Sequence, residues 1–369
     1  MKHNRHKIII STGGTGGHIY PAIAVARALN RELQDPDIRF IGAKGKMEMQ
    51  IVASEGFPIT GLWISGLQRS LSLSNLSFPI KVISALKDAF MILRREKPAV
   101  VVGFGGYASG PTLFAATLLG IPTLIQEQNA FPGLTNRILA RRVKRICLGS
   151  RDAAYFFPPK KIVFTGNPIR QDVIDIEGKS EQGLEFFGLE KNRTTILVIG
   201  GSQGALSINK SIAEKLEFFN TPEYQLLWQT GKYYFEEANK LSQNMPGAVI
   251  RTREFIKEMD LAYAVADIII SRAGAIAVAE LCAVGKPVIF IPLPTAAENH
   301  QYKNAQALVH QQAAVLIPDH EARQKLTRIL KELSTDKNRR SNLGKNMKDL
   351  AIIDADVRIA KEIIDIMKK

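Results

Sequence analysis

The sequence predicts an α/β protein with two doubly wound, Rossmann-like domains that face each other across a cleft. Short apolar segments alternate with helical patterns along the whole chain, which is typical of parallel sheets covered by helices. An apolar segment leads into a glycine-rich loop twice, as "IIISTGGTGG" at 8–17 and as "ILVIGGSQGA" at 196–205. The 369 residues are enough for two domains of this kind.

In the first half, apolar segments predict five strands with helical patterns between most of them: Lys7–Ser11, Ile38–Ile41, Ala99–Gly103, Thr123–Gln126 and Arg145–Leu148. Residues 98–126 are apolar over a length that would nominally span a bilayer. Three prolines and five glycines divide this segment, so it predicts a buried strand–helix–strand unit instead.

The second half repeats the alternation, with strands predicted at Thr195–Ile199, Gln225–Gln229, Ala248–Arg251, Asp267–Ser271, Pro287–Ile291 and Ala314–Ile317. Glycine and proline interrupt the pattern at "TGNPIR", 165–170, which predicts domains at 1–167 and 168–345. Residues 346–369 are predicted to form an amphipathic helix that packs back on the body. Its apolar stripe is expected at Leu350, Ile353, Val357, Ala360, Ile364 and Met367.

The net charge of +14 lies entirely in the first half of the chain. Residues 1–170 contain 23 Lys and Arg against 9 Asp and Glu, whereas the remaining residues contain 26 of each. This asymmetry indicates an anionic partner, such as a nucleic acid, a membrane surface or a phosphorylated substrate. Cys147 and Cys282 are far apart in sequence, which indicates a reducing compartment without a disulfide framework.

A strand, a glycine loop and a helix N-terminus in succession bring the backbone close to a phosphate group. A nicotinamide site would need G-x-G-x-x-G and an acidic residue about 20 positions on, at the end of the second strand. That strand ends in Gly42, Ala43 and Lys44 in the first half and in Gln229, Thr230 and Gly231 in the second. Neither loop is followed by G-K-[ST], which also excludes a P-loop.

A candidate ribose ligand occurs later, in "SRAGAIAVAE" at 271–280. A strand ends at Ser271, a glycine turn follows, and Glu280 is expected in the early part of the next helix. Its carboxylate could accept hydrogen bonds from both hydroxyls of a nucleotide ribose. A helix-face charge is the alternative for a lone glutamate, and the turn at Gly274 favours the binding role.

Seven motifs in order resemble the MurG family: "GGTGGH", "GFGGY", "EQNAFPGLTN", "TGNPIR", "GGSQGA", "SRAGA…AE" and "NHQYKNA". The resemblance covers nearly the whole chain. It implies the glycosyltransferase B architecture and transfer of N-acetylglucosamine from UDP-N-acetylglucosamine to undecaprenyl-linked N-acetylmuramyl pentapeptide in peptidoglycan synthesis. It implies no cofactor, and it implies a peripheral protein on the cytoplasmic face of the cell membrane, with cell-wall synthesis proteins as possible partners.

The resemblance also implies roles for individual residues. Ser202 and the backbone of 200–204 would meet the donor diphosphate near Arg170, and Ile256 would offer its backbone to the uracil ring. The full implied donor site consists of Thr15, Gly16, Gly17, Asn129, Arg170, Ser202, Ile256, Ala275, Glu280 and Gln301. Two residues depart from the family pattern: Gln126 replaces a histidine of "HEQN", and Ala277 replaces a threonine.

The implied reaction is a single inverting displacement that needs a base for the acceptor hydroxyl. His18 is the candidate catalytic base, because imidazole titrates near neutrality and the residue ends the glycine loop. His300 is a weaker candidate that would instead position the donor. Asp35 and Asp37 fit a metal-binding Asp-x-Asp pair, but they precede their strand, so we interpret them as a turn and expect no metal.

Three alternatives remain at this point. Another membrane-lipid glycosyltransferase and a sugar-nucleotide epimerase share the fold. A basic nucleic-acid binder would explain the charge but not the paired glycine loops, so we expect no nucleic acid. Residues 67–93 mix apolar residues with Arg69, Lys81 and Lys87. In the loop at 67–80, the apolar residues Leu71, Leu73, Leu76 and Phe78 are expected to dip into an anionic membrane surface that carries the acceptor. Apolar residues from Val82 onward are expected to complete the core.

Overall fold

The computed structural model describes residues 6–66, 77–201, 204–296 and 299–368. The chain forms two compact units. Unit 1 contains residues 1–169 and 352–369, and unit 2 contains residues 170–351. The chain passes from unit 1 to unit 2 at 169/170 and returns at 351/352, whereas the predicted boundaries are at 167/168 and 345/346. Residues 67–76, with most of the predicted membrane loop, and Ser202 of the donor site lie outside the described residues.

Unit 1 contains a parallel sheet of seven strands in its described part, in the order β3-β2-β1-β4-β5-β6-β7. The strands are β1 Lys7–Ser11, β2 Asp37–Ala43, β3 Ile59–Leu62, β4 Val100–Gly103, β5 Thr123–Glu127, β6 Arg145–Leu148 and β7 Ile162–Phe164. The first five helices are α1 Gly16–Glu32, α2 Met47–Ser54, α3 Phe78–Glu96, α4 Ser109–Leu118 and α5 Leu134–Leu139.

Both faces of this sheet are buried, which explains why its strands are continuous apolar runs. Ile8 and Ile10 of β1 join one core with α1, while Ile9 joins a second core with α3 and α4. The predicted strand–helix–strand unit at 98–126 is confirmed as β4, α4 and β5. Across the described ranges, we find no helix that combines the length and the apolar character needed to span a bilayer.

The last helix, α15 (Ala355–Lys368), belongs to unit 1, where it contacts α1, β4 and β6. Its buried face differs from the predicted stripe. Ile353 precedes the helix and is 54% exposed, and Val357 is only half-buried. The fully buried apolar positions are Ala355, Ile359, Ala360, Ile363 and Ile366. The predicted stripe was correct for Ala360, which is fully buried, and for Ile364 and Met367, which pack partly buried against the same core. It was wrong for Ile353 and Val357, because a helix with isoleucines on two adjacent faces has no unique apolar stripe.

Unit 2 contains a parallel sheet of six strands among its described residues, in the order β10-β9-β8-β11-β12-β13. The strands are β8 Thr194–Ile199, β9 Tyr224–Gln229, β10 Val249–Arg253, β11 Ile268–Ser271, β12 Val288–Phe290 and β13 Val315–Leu316. The helices are α6 Gln171–Ile174, α7 Ser180–Phe187, α8 Leu206–Ala213, α9 Phe235–Gln243, α10 Met259–Val265, α11 Ala275–Val284, α12 His300–His310, α13 Ala322–Thr335 and α14 Lys337–Asp349.

Both sheets have the strand order of a doubly wound fold, with a reversal beside the first strand of each unit. β1 lies between β2 and β4, and β8 lies between β9 and β11. Ligands of such sheets bind beyond the carboxyl ends of the strands at this reversal. The two glycine loops directly follow β1 and β8, so each lies at the binding edge of its own sheet.

Candidate active site

The first glycine loop joins β1 to α1. Gly13 and Gly14 have φ values of 151° and 87°, which favour glycine because a side chain would be strained there. Thr15 is the residue before α1, and its carbonyl accepts hydrogen bonds from the backbone N–H groups of His18 and Ile19. Gly16 and Gly17 form the first turn of α1, so the predicted residues Thr15, Gly16 and Gly17 lie together at the carboxyl end of β1.

His18 lies in the first turn of α1 and points toward the ends of β4 and β5. Its Nδ1 is 3.1 Å from Oε1 of Gln128. A Cβ on Gly105 would come within 2.8 Å of the imidazole, so the glycine of "GFGGY" leaves room for the ring. Burial lowers the pKa of His18 and outweighs the nearby carboxylate of Glu127, which raises it. The imidazole is therefore neutral at physiological pH and suited to accept a proton.

Glu127 organises the "EQNAFPGLTN" segment from the end of β5. It is 2% exposed, and its carboxylate accepts hydrogen bonds from the backbone N–H groups of Asn129 (3.0 Å) and Gly133 (3.1 Å). The side-chain amides of Asn129 (3.2 Å) and Asn136 (2.8 Å) also donate to it. Because one amide hydrogen of Asn129 is directed at Glu127, the predicted donor contact of Asn129 would use its remaining amide groups.

Glu48 lies behind the first glycine loop and is fully buried. Its carboxylate accepts hydrogen bonds from the backbone N–H groups of Ala43 (3.0 Å) and Gly14 (3.3 Å). A Cβ on Gly13 would overlap the same carboxylate. The loop geometry therefore depends on a glutamate from α2, which raises the pKa of His18 through its charge.

The Asp-x-Asp pair lies at the other end of the sheet. Asp37 is the first residue of β2, and its carboxylate accepts a hydrogen bond from Arg39 at 2.9 Å. Since the glycine loop follows the carboxyl end of β1 and β2 runs parallel to β1, Asp37 lies at the opposite edge from His18.

The second glycine loop follows β8. Gly201 and Gly204 have φ values of 83° and 79°, and a Cβ on Gly204 would overlap the carbonyl oxygen of Thr230. Gln229, at the end of β9, donates from Nε2 to the carbonyl of Gly201 at 3.1 Å. Its Oε1 accepts from the backbone N–H of Ile256 at 2.9 Å. Gln229 thus joins the second glycine loop, which is predicted to meet the diphosphate, to the segment predicted to meet the uracil.

The contact made by Ile256 limits its predicted role. Its N–H is directed at Gln229, so its carbonyl is the backbone group that remains available to bind the uracil ring. Ile256 itself is 2% exposed and packs in the core of unit 2.

Glu280 lies a turn and a half into α11, later than the predicted early position. Burial raises its pKa to about 7, Arg170 lowers it, and Asp172 raises it. None of the described side chains forms a hydrogen bond with its carboxylate. Arg170 also pairs with Asp172 at 2.5 Å. Arg170 and Glu280, which were predicted separately as diphosphate and ribose ligands, lie close enough within unit 2 for the guanidinium to lower the pKa of the carboxyl.

Ala275 begins α11, directly after Gly274, and its N-terminal turn is half-buried. Gln301, in the first turn of α12, accepts a hydrogen bond from the backbone N–H of Leu293 at 3.0 Å. Its side-chain NH2 group is the part that remains for a sugar. Arg272 fixes the neighbouring loop because it donates to the carbonyl of Ile291 at 2.9 Å.

Four polar residues of these regions were not identified in the sequence as site residues: Glu48, Glu127, Gln128 and Gln229. Each is less than 5% exposed and makes a hydrogen bond to a glycine loop or to a predicted site residue. Glu127, Gln128 and Gln229 could have been found from the sequence, because each is a polar residue at or directly after the end of an apolar strand.

Comparisons with known proteins identify the family of the chain. The glycosyltransferase family 28 N-terminal domain matches residues 8–148, and its C-terminal domain matches residues 195–362. A UDP-N-acetylglucosamine–N-acetylmuramyl-(pentapeptide) pyrophosphoryl-undecaprenol N-acetylglucosamine transferase from Flavobacterium psychrophilum is 46% identical over 99% of this chain and 98% of its own. The same-named protein of Porphyromonas gingivalis is 48% identical over 98% and 96%.

Solved structures give the same result. Acinetobacter baumannii MurG has a TM-score of 0.77 at 28% identity and covers 98% of this chain and 99% of its own. A UDP-GlcNAc 2-epimerase from Neisseria meningitidis has a TM-score of 0.66 at 15% identity, with 97% and 100% covered, and shares the fold alone. The two α/β units thus have the glycosyltransferase B architecture, and the predicted resemblance is confirmed: the chain belongs to glycosyltransferase family 28 and, within it, to the MurG family.

Proposed function

We propose that this chain transfers N-acetylglucosamine from UDP-N-acetylglucosamine to the 4-hydroxyl of the N-acetylmuramyl sugar in undecaprenyl-pyrophosphoryl-N-acetylmuramyl pentapeptide. The observation that carries the proposal is the 46% identity with a curated transferase of this activity over 99% of the chain. The product is the disaccharide-linked lipid used in peptidoglycan synthesis. The reaction inverts the configuration at the anomeric carbon.

Unit 2 would bind the donor. The carbonyl of Ile256 would accept the uracil N3–H, and Glu280 would accept the ribose hydroxyls in its ionised form. Backbone N–H groups of the loop at 200–204 and the guanidinium of Arg170 would meet the diphosphate. Ala275 and Gln301 would contact the sugar and its phosphate, since both lie at helix N-termini on the binding edge of the sheet.

Unit 1 would supply the base. The acceptor oxygen attacks the anomeric carbon, and the bond from that carbon to the β-phosphate oxygen breaks. The electron pair leaves with UDP, and Nε2 of His18 takes the proton of the hydroxyl. This assignment is supported by the lowered pKa of His18, because a neutral imidazole is needed before each turnover. Thr15, Gly16, Gly17 and Asn129 would face the transferred sugar from the same edge.

The direct test is transfer of labelled N-acetylglucosamine from its UDP derivative to the lipid-linked muramyl pentapeptide. We expect product that requires both substrates. Turnover of the donor to a different UDP-sugar without acceptor would instead identify an epimerase. Transfer to diacylglycerol but not to the muramyl lipid would identify a different lipid glycosyltransferase.

The chain would reach its lipid acceptor as a peripheral protein on an anionic membrane. One face of α3 is exposed and combines apolar and basic residues: Ile80, Ile83, Lys87, Met91 and Arg94. Ile83 is 69% exposed and Met91 60%, so the prediction that residues from Val82 onward complete the core is correct for Ala85 and Leu93 but wrong for these two. Apolar side chains could enter the interface while the cations meet lipid headgroups.

Sedimentation with vesicles tests this proposal. Binding should rise with the fraction of anionic lipid and fall with salt, since each basic residue near the surface contributes about 1 kcal/mol. Replacing Ile80, Ile83 and Met91 by serine should weaken it, whereas Tyr233→Ser, which removes an even more exposed aromatic ring from unit 2, should not. Equal binding to neutral vesicles, or none to anionic ones, would contradict the membrane role of α3.

A further inference from the structure

We propose that a chain of three buried amides holds His18 in a single tautomer, with the hydrogen on Nδ1 and the lone pair on Nε2. The amides belong to Gln126, Gln128 and Asn167, which are 0%, 3% and 7% exposed. The inference rests on the proposed function only where it assigns Nε2 as the atom that takes the acceptor's proton.

The orientation of the Gln128 amide follows from a backbone carbonyl. Its Nε2 lies 2.8 Å from the carbonyl oxygen of Phe104, which can only accept a hydrogen bond. Turning the amide over would place two oxygens against each other, so the amide has one allowed orientation. Its Oε1 therefore faces Nδ1 of His18 at 3.1 Å, and this oxygen can only accept. The hydrogen of the neutral imidazole must then be on Nδ1.

The amides of Gln126 and Asn167 fix the direction of the second N–H bond of the Gln128 amide. Asn167 donates from Nδ2 to the carbonyl of Gln128 at 3.0 Å, so its Oδ1 is an acceptor. That oxygen receives a hydrogen bond from Nε2 of Gln126 at 3.1 Å. The Oε1 of Gln126 in turn accepts from Nε2 of Gln128. Both amide hydrogens of Gln128 are used, and each donor in the chain ends on an oxygen that cannot donate.

Two glycines make room for this arrangement. A Cβ on Gly149 would overlap the side chain of Asn167, and a Cβ on Gly105 would lie 2.8 Å from Nδ1 of His18. A side chain at either position would therefore collide with the imidazole or with the amide of Asn167. Each nitrogen and oxygen of the three amides has at least one protein hydrogen-bond partner.

This tautomer has a chemical consequence. A free histidine side chain prefers the hydrogen on Nε2, which would leave Nδ1 as the basic atom, facing the protein interior. The amide chain reverses that preference. It therefore makes Gln128 a positioning residue that keeps the basic nitrogen directed away from Gln128, with Gln126 and Asn167 holding Gln128 in place.

Nitrogen NMR of the unliganded protein labelled with 15N-histidine tests the tautomer directly. His18 is identified as the signal that disappears in His18→Gln. We expect the wild-type protein to show a protonated Nδ1 and an unprotonated Nε2 at neutral pH. A protonated Nε2 on neutral His18, or rapid averaging of the two forms, would overturn the proposal. This measurement uses no substrate, so its outcome is independent of whether the transfer reaction occurs.

Gln128→Met removes the acceptor and should let the Nε2–H form appear. We expect kcat to fall at least about tenfold while UDP affinity is unchanged. For comparison, a wrong histidine tautomer in a serine-protease triad lowers kcat by roughly 10⁴-fold. Gln225→Met is the matched control, because it removes a fully buried glutamine amide with four hydrogen bonds from unit 2. It should lower stability without altering the His18 signals. An unchanged tautomer in Gln128→Met would contradict the proposed role of Gln128.

Gln128→Glu gives a second readout that a purely structural role would not produce. A carboxylate beside Nδ1 would stabilise the protonated imidazole and raise the pKa of His18. The acid limb of the kcat/KM profile should therefore move to higher pH. A loss of activity at all pH values without this movement would count against the assignment.

Discussion

Glu280→Gln should stabilise the unliganded protein at high pH. In the unfolded chain the carboxyl ionises at an ordinary pKa of 4.5, whereas burial raises its pKa to about 7 in the folded chain. Between these values the folded state binds more protons, so the stability of the wild-type protein falls as the pH rises from 4.5 through 7. The difference corresponds to about 3 kcal/mol above pH 8, at 1.36 kcal/mol per pH unit. The neutral amide does not carry this cost.

The same change should weaken UDP binding. Loss of a charge-assisted hydrogen bond to the ribose costs about 1.5–3 kcal/mol, or about 10- to 150-fold in Kd. Since the ribose hydroxyls would bind the ionised carboxylate, UDP affinity of the wild-type protein should rise with pH through about 7 and then level off. For Glu280→Gln this part of the pH dependence should be absent. Stability and donor affinity would thus change in opposite directions.

Urea unfolding of both proteins at pH 5 and pH 8, with calorimetry of UDP binding at the same values, tests this reasoning. The stability difference should be small at pH 5 and about 3 kcal/mol in favour of the variant at pH 8. Glu236→Gln, an exposed change in unit 2, serves as the control and should alter neither quantity. Equal stability differences at the two pH values would refute the raised pKa, and unchanged UDP affinity would refute the ribose contact.

Three further outcomes are expected. His18→Ala should lower kcat by about 10²–10⁴-fold with UDP affinity intact, and near-normal turnover would place the base elsewhere. Added chelator should leave UDP affinity unchanged, because helix N-termini and Arg170 would balance the diphosphate charge; recovery of lost affinity by Mg²⁺ would reverse this assignment. Gly204→Ala should unfold the protein more readily than Gly178→Ala. Both have positive φ, but only at Gly204 would the Cβ overlap another group, the carbonyl of Thr230. Similar losses would show that backbone strain alone matters.

Most of the sheet architecture could be predicted from the sequence, because strands buried on both faces are continuous apolar runs. The two strands that were not predicted, β3 and β7, are the edges of the sheet in unit 1. β3 contains Gly61 and is half-exposed, and β7 has only three residues. Such segments become strands through pairing with a neighbour, which a local pattern does not reveal.

The candidate site divides in the same way. Glycine loops could be located because their backbone requirement limits the residue type at each position. The hydrogen bonds among His18, Gln126, Gln128 and Asn167 could not be predicted, since they depend on side-chain orientations of residues far apart in sequence. Likewise, the position of Glu280 in its helix could be approximated, but its pKa depends on burial by the surrounding fold.

The return of α15 to unit 1 bears on the order of events during translation. The helix supplies Ile359, Ile363 and Ile366 to the core that also contains Ile8 and Ile10 of the first strand. A ribosome that has completed residues 1–169 has made α1 but not yet α15, so one face of that sheet is only partly covered. Unit 2 is contiguous and can fold while still attached to the ribosome. Unit 1 therefore begins to emerge before unit 2 but completes its core after it. Until α15 is made, the partly covered face of its sheet would be the surface that needs a chaperone.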